Sequence, residues 1–175
     1  MKRLSLLFTL LALTFVSSSA FAQFTQSQMV DEWTRAKAYT KAYLDALPAD
    51  GYGFKPTPEI RSFAGQMLHL ADANYFFTAT ISGKPSPMGQ KSVEKSVDPT
   101  KEATTKAVMD SYDFVISSLQ AMTPAQMQET VSLEGHSVSK SGGFGKAFEH
   151  QTHHRGQTTI YLRLKGVTPP GEQLF

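Results

Sequence analysis

The chain has 175 residues, with 17 Lys and Arg against 15 Asp and Glu, and no cysteine. Without cysteine there are no disulfides, thiolate ligands or cysteine nucleophiles, so any metal chemistry has to use nitrogen and oxygen donors. The formal excess of +2 comes from Lys2 and Arg3 alone, which leaves neither a basic footprint for nucleic acid nor a polybasic patch for anionic lipid in the rest of the chain.

Those two cations open a segment with the pattern of a secretory leader. The apolar run "LSLLFTLLALTFV" follows them, and "AFA" at 20–22 is a small-residue cleavage pattern. Cleavage is expected after Ala22, giving an exported protein, periplasmic or extracellular, that begins at Gln23 and keeps no stable membrane anchor. No cysteine follows the apolar run to carry a lipid. Residues 23–175 suit one compact domain.

Beyond the leader, proline marks where helices stop. All nine prolines fall at 48, 56, 58, 85, 87, 99, 124, 169 and 170, and the stretches between them are where helices can run, since an internal proline costs about 3 kcal/mol. The first helix is predicted over about Ser27 to Leu47, burying Met29, Trp33, Ala36, Thr40, Tyr43 and Leu47 at three- and four-residue spacing. The second is predicted from Pro58, capped by Thr57, to about Ile81. The third follows a Thr100 cap to about Met122, with Val108, Tyr112, Val115 and Leu119 inward. A short helix is expected at "TPAQMQE", with Thr123 as cap, and "SLEGHSVSKSGGFG" reads as a loop. The fourth long helix is predicted from about Phe144 to Lys165, ended by Gly166 and Pro169. Strand alternation is weak throughout, so the fold class is all-α, a four-helix bundle.

The fourth helix carries "EHQTHHRGQT", three of the five histidines within five positions. At about 100° per residue, His150 and His154 lie within about 40° of each other on the inward face, and His153 falls toward its edge. Histidines at i and i+4 point the same way, about 6 Å apart along the axis, so both rings can reach one ion. Two inward histidines can equally be hydrogen-bonded core residues. The third inward candidate is His69 on the second helix. Its neighbours Gly65 and Ala73 leave space that a packed core normally fills, unless a neighbouring helix packs close there. Three imidazoles converging between helices suit an open metal site. His136 is expected in solvent, and Arg155 in a salt bridge to a neighbouring helix.

A histidine in the second helix followed by H-x-x-H-H-R-G-Q opening the last, here "HQTHHRGQTTIYLRLKG", resembles the DinB/YfiT-like family of metalloenzymes. The likeness spans essentially the whole mature chain. It implies an up-down-down-up four-helix bundle with a long crossover between the second and third helices, and it carries the metal ligands onto His69, His150 and His154. It also implies a divalent ion, nickel, zinc or another transition metal. Some relatives are thiol-dependent transferases or isomerases using bacillithiol, mycothiol or glutathione. Export departs from that pattern, because such thiols are scarce outside the cytosol.

Other signals are weak. "SGGFGKAF" does not satisfy G-x-x-x-x-G-K-[ST], and no G-x-S-x-G appears. Asp72, three residues after His69, is the best-placed acid/base or outer partner, set against a plain surface carboxylate. The expectation is a divalent-metal-dependent enzyme acting on a small molecule, either a thiol-dependent transferase or a metal-assisted hydrolase. The alternative is a non-catalytic metal- or ligand-binding exported bundle. Zinc is the default ion, with nickel, iron and manganese as alternatives. The sequence leaves a homodimer open.

Overall fold

The computed structural model describes residues 24–175, so the leader assigned to residues 1–22, with its cleavage point, lies outside the described residues. The elements are α1 (Gln26–Ala46), a 3-10 turn (Ala49–Gly51), α2 (Phe63–Ser82), α3 (Val93–Ser96), α4 (Lys101–Gln120), α5 (Pro124–Gln128), β1 (Thr130–Leu133), β2 (His136–Ser139) and α6 (Lys140–Leu164). Among the described residues the fold is mostly helical, with four long helices and one small hairpin. Among the described residues no helix is long and apolar enough to cross a membrane.

Local chemistry starts each helix. Thr25 and Thr123 form capping boxes with Gln28 and Gln126, and Pro124 opens α5. Thr100 caps α4 as the sequence predicts. The second helix begins later than predicted. Ser62, not Thr57, takes the amide of Gly65 and caps α2. Two of its first amides are instead occupied by the preceding segment, Phe63 N donating to Phe54 O and Ala64 N to Tyr52 O. A proline at the right spacing therefore lost to tertiary contacts that hold residues 52–62 as loop.

The expected loop before the last helix is partly ordered. β1 and β2 pair antiparallel, with Leu133 opposite His136. Their turn, Glu134–Gly135, has positive φ at both positions (50° and 83°), as tight two-residue hairpins require. Ser139 then caps α6, which starts four residues before the predicted Phe144.

α2 lies against both α4 and α6, and α1 also packs on α4 and α6. The predicted stripes are buried: Trp33, Ala36, Thr40 and Tyr43 on α1, and Val108, Tyr112, Val115 and Leu119 on α4. Trp33 packs edge-on against Tyr112 and Phe148, which ties α1 to α4 and α6. At Gly143 a Cβ would sit 2.9 Å from Ile81 Cγ1, so glycine there lets the start of α6 approach the end of α2.

A buried polar chain crosses the interior. Thr40 Oγ1 meets Tyr112 Oη at 2.7 Å, and Tyr112 Oη donates to Gln151 Oε1 at 2.8 Å. Arg155 donates to the same Gln151 oxygen at 3.0 Å and lies 4.4 Å from the centre of the Tyr39 ring. Arg155 is only 6% exposed. It forms no ion pair among the described residues, so the expected salt bridge is replaced by an amide and an aromatic face. These bonds join α1, α4 and α6 on the side of α6 away from His150.

Tyr112→Phe is expected to destabilise the protein by about 1–3 kcal/mol, because Gln151 and Thr40 each lose a buried partner. Urea unfolding with an unchanged denaturant slope would measure it. A change below about 0.5 kcal/mol would mean that this chain is not a significant restraint on α6.

Candidate metal centre

The site is built on the facing surfaces of α2 and α6. His150 and His154 project from adjacent turns of α6, and His69 faces them from α2. One ring nitrogen from each of the three lies within 4.8 Å of the others. The Nε2 atoms of His150 and His154 are 3.1 Å apart, and the ring of His69 is centred 4.6 Å from that of His154 and 5.5 Å from that of His150. Two nitrogens held about 2.0–2.1 Å from one ion at right-angle to tetrahedral separation are about 2.8–3.4 Å apart. The α6 pair therefore already has metal-ligand spacing, and His69 needs only a small approach.

Electrostatics leave these rings as free bases. Burial pushes the His154 pKa down to about 3, with His150, His69, His153 and Arg61 adding to the shift. Burial, then His69, His153 and Arg61, lower His150 to about 4. His69 is lowered by burial and by Arg61, against the opposing pull of Glu94 and Asp72. All three are neutral at neutral pH, with lone pairs available to a cation. Three converging, partly buried acceptor nitrogens form a donor set that fits a divalent transition metal.

The other nitrogens of the rings meet outer partners. Gln66 Nε2 lies 2.9 Å from His154 Nδ1, and the Gln66 amide also bonds the Gln157 side chain. Gln157 reaches His153 Nε2 at 3.0 Å. His69 Nδ1 faces Arg61 Nη2 at 3.3 Å and Glu94 Oε2 at 3.6 Å. The Nδ1 atom of His150 is buried without a hydrogen-bond partner.

Two open clefts flank the centre. One, of about 700 Å³, includes Arg61, Glu94, Gln66, His154, Gln157 and Tyr161. The other, of about 620 Å³, runs beneath the hairpin and includes Phe77, Leu133, His136, His150 and His153. The cluster thus combines desolvated nitrogens with two routes for a small molecule.

The remaining sequence candidates fall elsewhere. His153 is exposed and outside the cluster, and His136 is exposed on the hairpin. Asp72 is not part of the cluster either. Its carboxylate accepts from Ser92 Oγ at 2.7 Å, Val93 N at 2.5 Å and Glu94 N at 3.0 Å, and so caps α3. The space expected beside Gly65 is also taken. A Cβ there would lie 3.2 Å from Ser62 Oγ and 3.8 Å from Glu94 Oε1.

The sequence puts Gln66 on the His69 face and Gln157 in the R-G-Q run without marking either as a partner of the site, and gives no sign of Glu94. Gln66 precedes His69 by three residues and Gln157 follows His154 by three, so helical spacing was an available signal for both. Glu94 arrives on the crossover between α2 and α4, where no periodicity points to it.

Comparison with known proteins agrees with this architecture. The family model described as "DinB family" matches residues 18–174. An uncharacterized protein, YjoA, of Bacillus subtilis is 24% identical over 146 residues, covering 81% of this chain and 92% of its own. A DinB-like crystal structure from Bacillus cereus superposes with a TM-score of 0.74 at 19% identity, covering 86% of this chain and 99% of that one. The crystal structure of YjoA itself gives 0.64 at 19% identity, covering 85% and 96%. The chain belongs to the DinB family.

The lowered histidine pKa values set a pH dependence for the metal-free protein. In the unfolded chain these rings take up protons near pH 6.5, whereas in the folded protein His150 and His154 stay neutral down to about 4 and 3. The unfolded state therefore binds more protons in this window. Stability is greatest above about pH 6.5 and falls as the pH drops toward those folded values. Urea midpoints at pH 7 and pH 5 should separate more for the metal-free wild type than for a His150→Gln, His154→Gln double variant. Equal separations would show that the histidines contribute nothing to the acid sensitivity.

Proposed function

We propose that this protein binds one divalent transition-metal ion through His69, His150 and His154 and presents it to a small molecule entering from a flanking cleft. The observation that carries the reading is the 3.1 Å approach of two Nε2 atoms, with a third neutral imidazole facing them. Among the described residues no further His, Asp or Glu joins the group. Structural zinc sites are more commonly closed by four protein ligands, so a three-histidine set favours an open site. An ion held this way supplies Lewis acidity, polarising a carbonyl or activating a bound water.

The chain's own residues then hold, orient and exclude. Phe77 packs edge-on against the His150 ring, with the ring centres 5.6 Å apart, and restrains its orientation on the cleft side. Gln66 restrains His154, and either orientation of its amide can serve the ring. Under this reading the four long helices run up-down-down-up, with the connection between α2 and α4 as the crossover. Zinc is the default occupant, and nickel, iron and manganese suit the same donors. The reaction classes compatible with the site are thiol-dependent transfer and metal-assisted hydrolysis. Export through the leader at residues 1–22 favours hydrolysis, because cytosolic thiols are scarce outside the cell. An exported binder without turnover is the second reading, favoured by Asp72 being committed to capping.

Metal analysis after dialysis tests the ligand set. One equivalent per chain is expected for the wild type and for His153→Ala. His69→Ala, His150→Ala and His154→Ala should each lose affinity by more than the roughly 10–100-fold typical of an outer-partner change. In the Co²⁺-substituted protein, added imidazole should perturb the visible spectrum. Retention of metal by His154→Ala, or a spectrum indifferent to imidazole, would contradict the open three-histidine site.

A further inference from the structure

His69 differs from the other two rings in having partners of opposite demand at its outer nitrogen. Arg61 Nη2 stands 3.3 Å from Nδ1 and can only donate. Glu94 Oε2 stands 3.6 Å away and, ionised, can only accept. A neutral imidazole carries one proton, so the two partners select different tautomers. Satisfying Arg61 requires a lone pair on Nδ1 and puts the proton on Nε2. Satisfying Glu94 requires the proton on Nδ1 and leaves the Nε2 lone pair free.

From this we infer that Glu94 is the positioning residue that makes His69 a ligand, displacing Arg61 from Nδ1 when the ion binds. The inference rests on the three-histidine reading and names the residue that holds one of its ligands in the right tautomer. A histidine that ligates through Nε2 must carry its proton on Nδ1, and a carboxylate is a common receiver of it. Among the described residues no other carboxylate pairs with any of the three rings.

The surroundings of Glu94 hold it in place for this role. Its Oε1 accepts from Arg61 Nε at 2.9 Å while Oε2 faces His69, but what fixes its place is the backbone rather than this ion pair. Its backbone amide is bonded to Asp72, and the same carboxylate takes the amide of Val93 and the hydroxyl of Ser92. Asp72 lies on α2, three residues after His69. The helix that bears the ligand thus also anchors the segment that bears the ligand's partner. Closing the contact takes only a small rotation of the ring or the carboxylate, and Arg61 can keep its bond to Oε1 throughout.

The test is a Zn²⁺ titration against a competing chelator, using the wild type, Glu94→Ala, Glu94→Gln and Arg61→Met. Glu94→Ala should bind Zn²⁺ roughly 10–100-fold more weakly. Glu94→Gln should recover part of that loss, because the amide oxygen still accepts from Nδ1. Arg61→Met removes the same ion pair and a competing donor, so its affinity should equal or exceed the wild type's. Nitrogen-15 NMR of the Zn²⁺-loaded wild type should show the His69 proton on Nδ1. If Arg61→Met weakens binding as much as Glu94→Ala, the ion pair is merely holding the crossover, and the inference is overturned. The same follows if Glu94→Ala binds within twofold of the wild type, or if the His69 proton is absent from Nδ1. A wild type that takes up no Zn²⁺ or other divalent ion would instead overturn the three-histidine reading beneath it.

Discussion

Three neutral imidazoles held tilted and edge-on to one another, with their nitrogen lone pairs converging, are costly to assemble unless something cationic sits among them. The i, i+4 spacing on α6 brings two Nε2 atoms to 3.1 Å, and α2 supplies the third ring. Burial keeps the rings from meeting the cost by protonation, because a charged imidazole there would be desolvated and would face two others. The rest of the structure can be read as what is needed to hold α2 and α6 in this relation.

Two kinds of contact do so. At one end, Gly143 allows α6 to close on Ile81 of α2. Along the opposite face of α6, Gln151 and Arg155 bond into α1 and α4 through Tyr112, Thr40 and Tyr39. Gln151 and Arg155 each lie one residue beyond a ligand, so they point away from the centre while fixing the rotation of the helix about its axis. The R-G-Q run after the histidines divides accordingly. Arg155 locks the core side, and Gln157 joins Gln66 and His153 on the cleft side.

The long helices were legible because each repeats an apolar stripe between prolines, and burial enforces that period. The α6 histidines were legible for the same reason, since helical spacing places His150 and His154 inward and His153 toward the edge of that face. Legibility failed where tertiary contacts outweigh local preference. Thr57 and Pro58 have the right chemistry to start a helix, yet the loop at Tyr52 and Phe54 takes the amides at Phe63 and Ala64 and moves the start to Ser62. The hairpin at 130–139 is too short for its alternation to stand out. Asp72 shows a further limit, since its distance from His69 along α2 fits an outer partner, but the acceptor is consumed by a crossover turn that no local pattern announces. That turn brings in Glu94, the carboxylate that sequence spacing could not supply.

The most direct measurement is a crystal structure of the metal-loaded protein with anomalous data collected across the absorption edge of the bound metal. The account predicts a single ion about 2.0–2.1 Å from one nitrogen of each of His69, His150 and His154 if the metal is zinc. Its remaining coordination should come from solvent or a small molecule on the cleft side. An ion bound elsewhere, or a fourth protein side chain closing the coordination sphere, would contradict it.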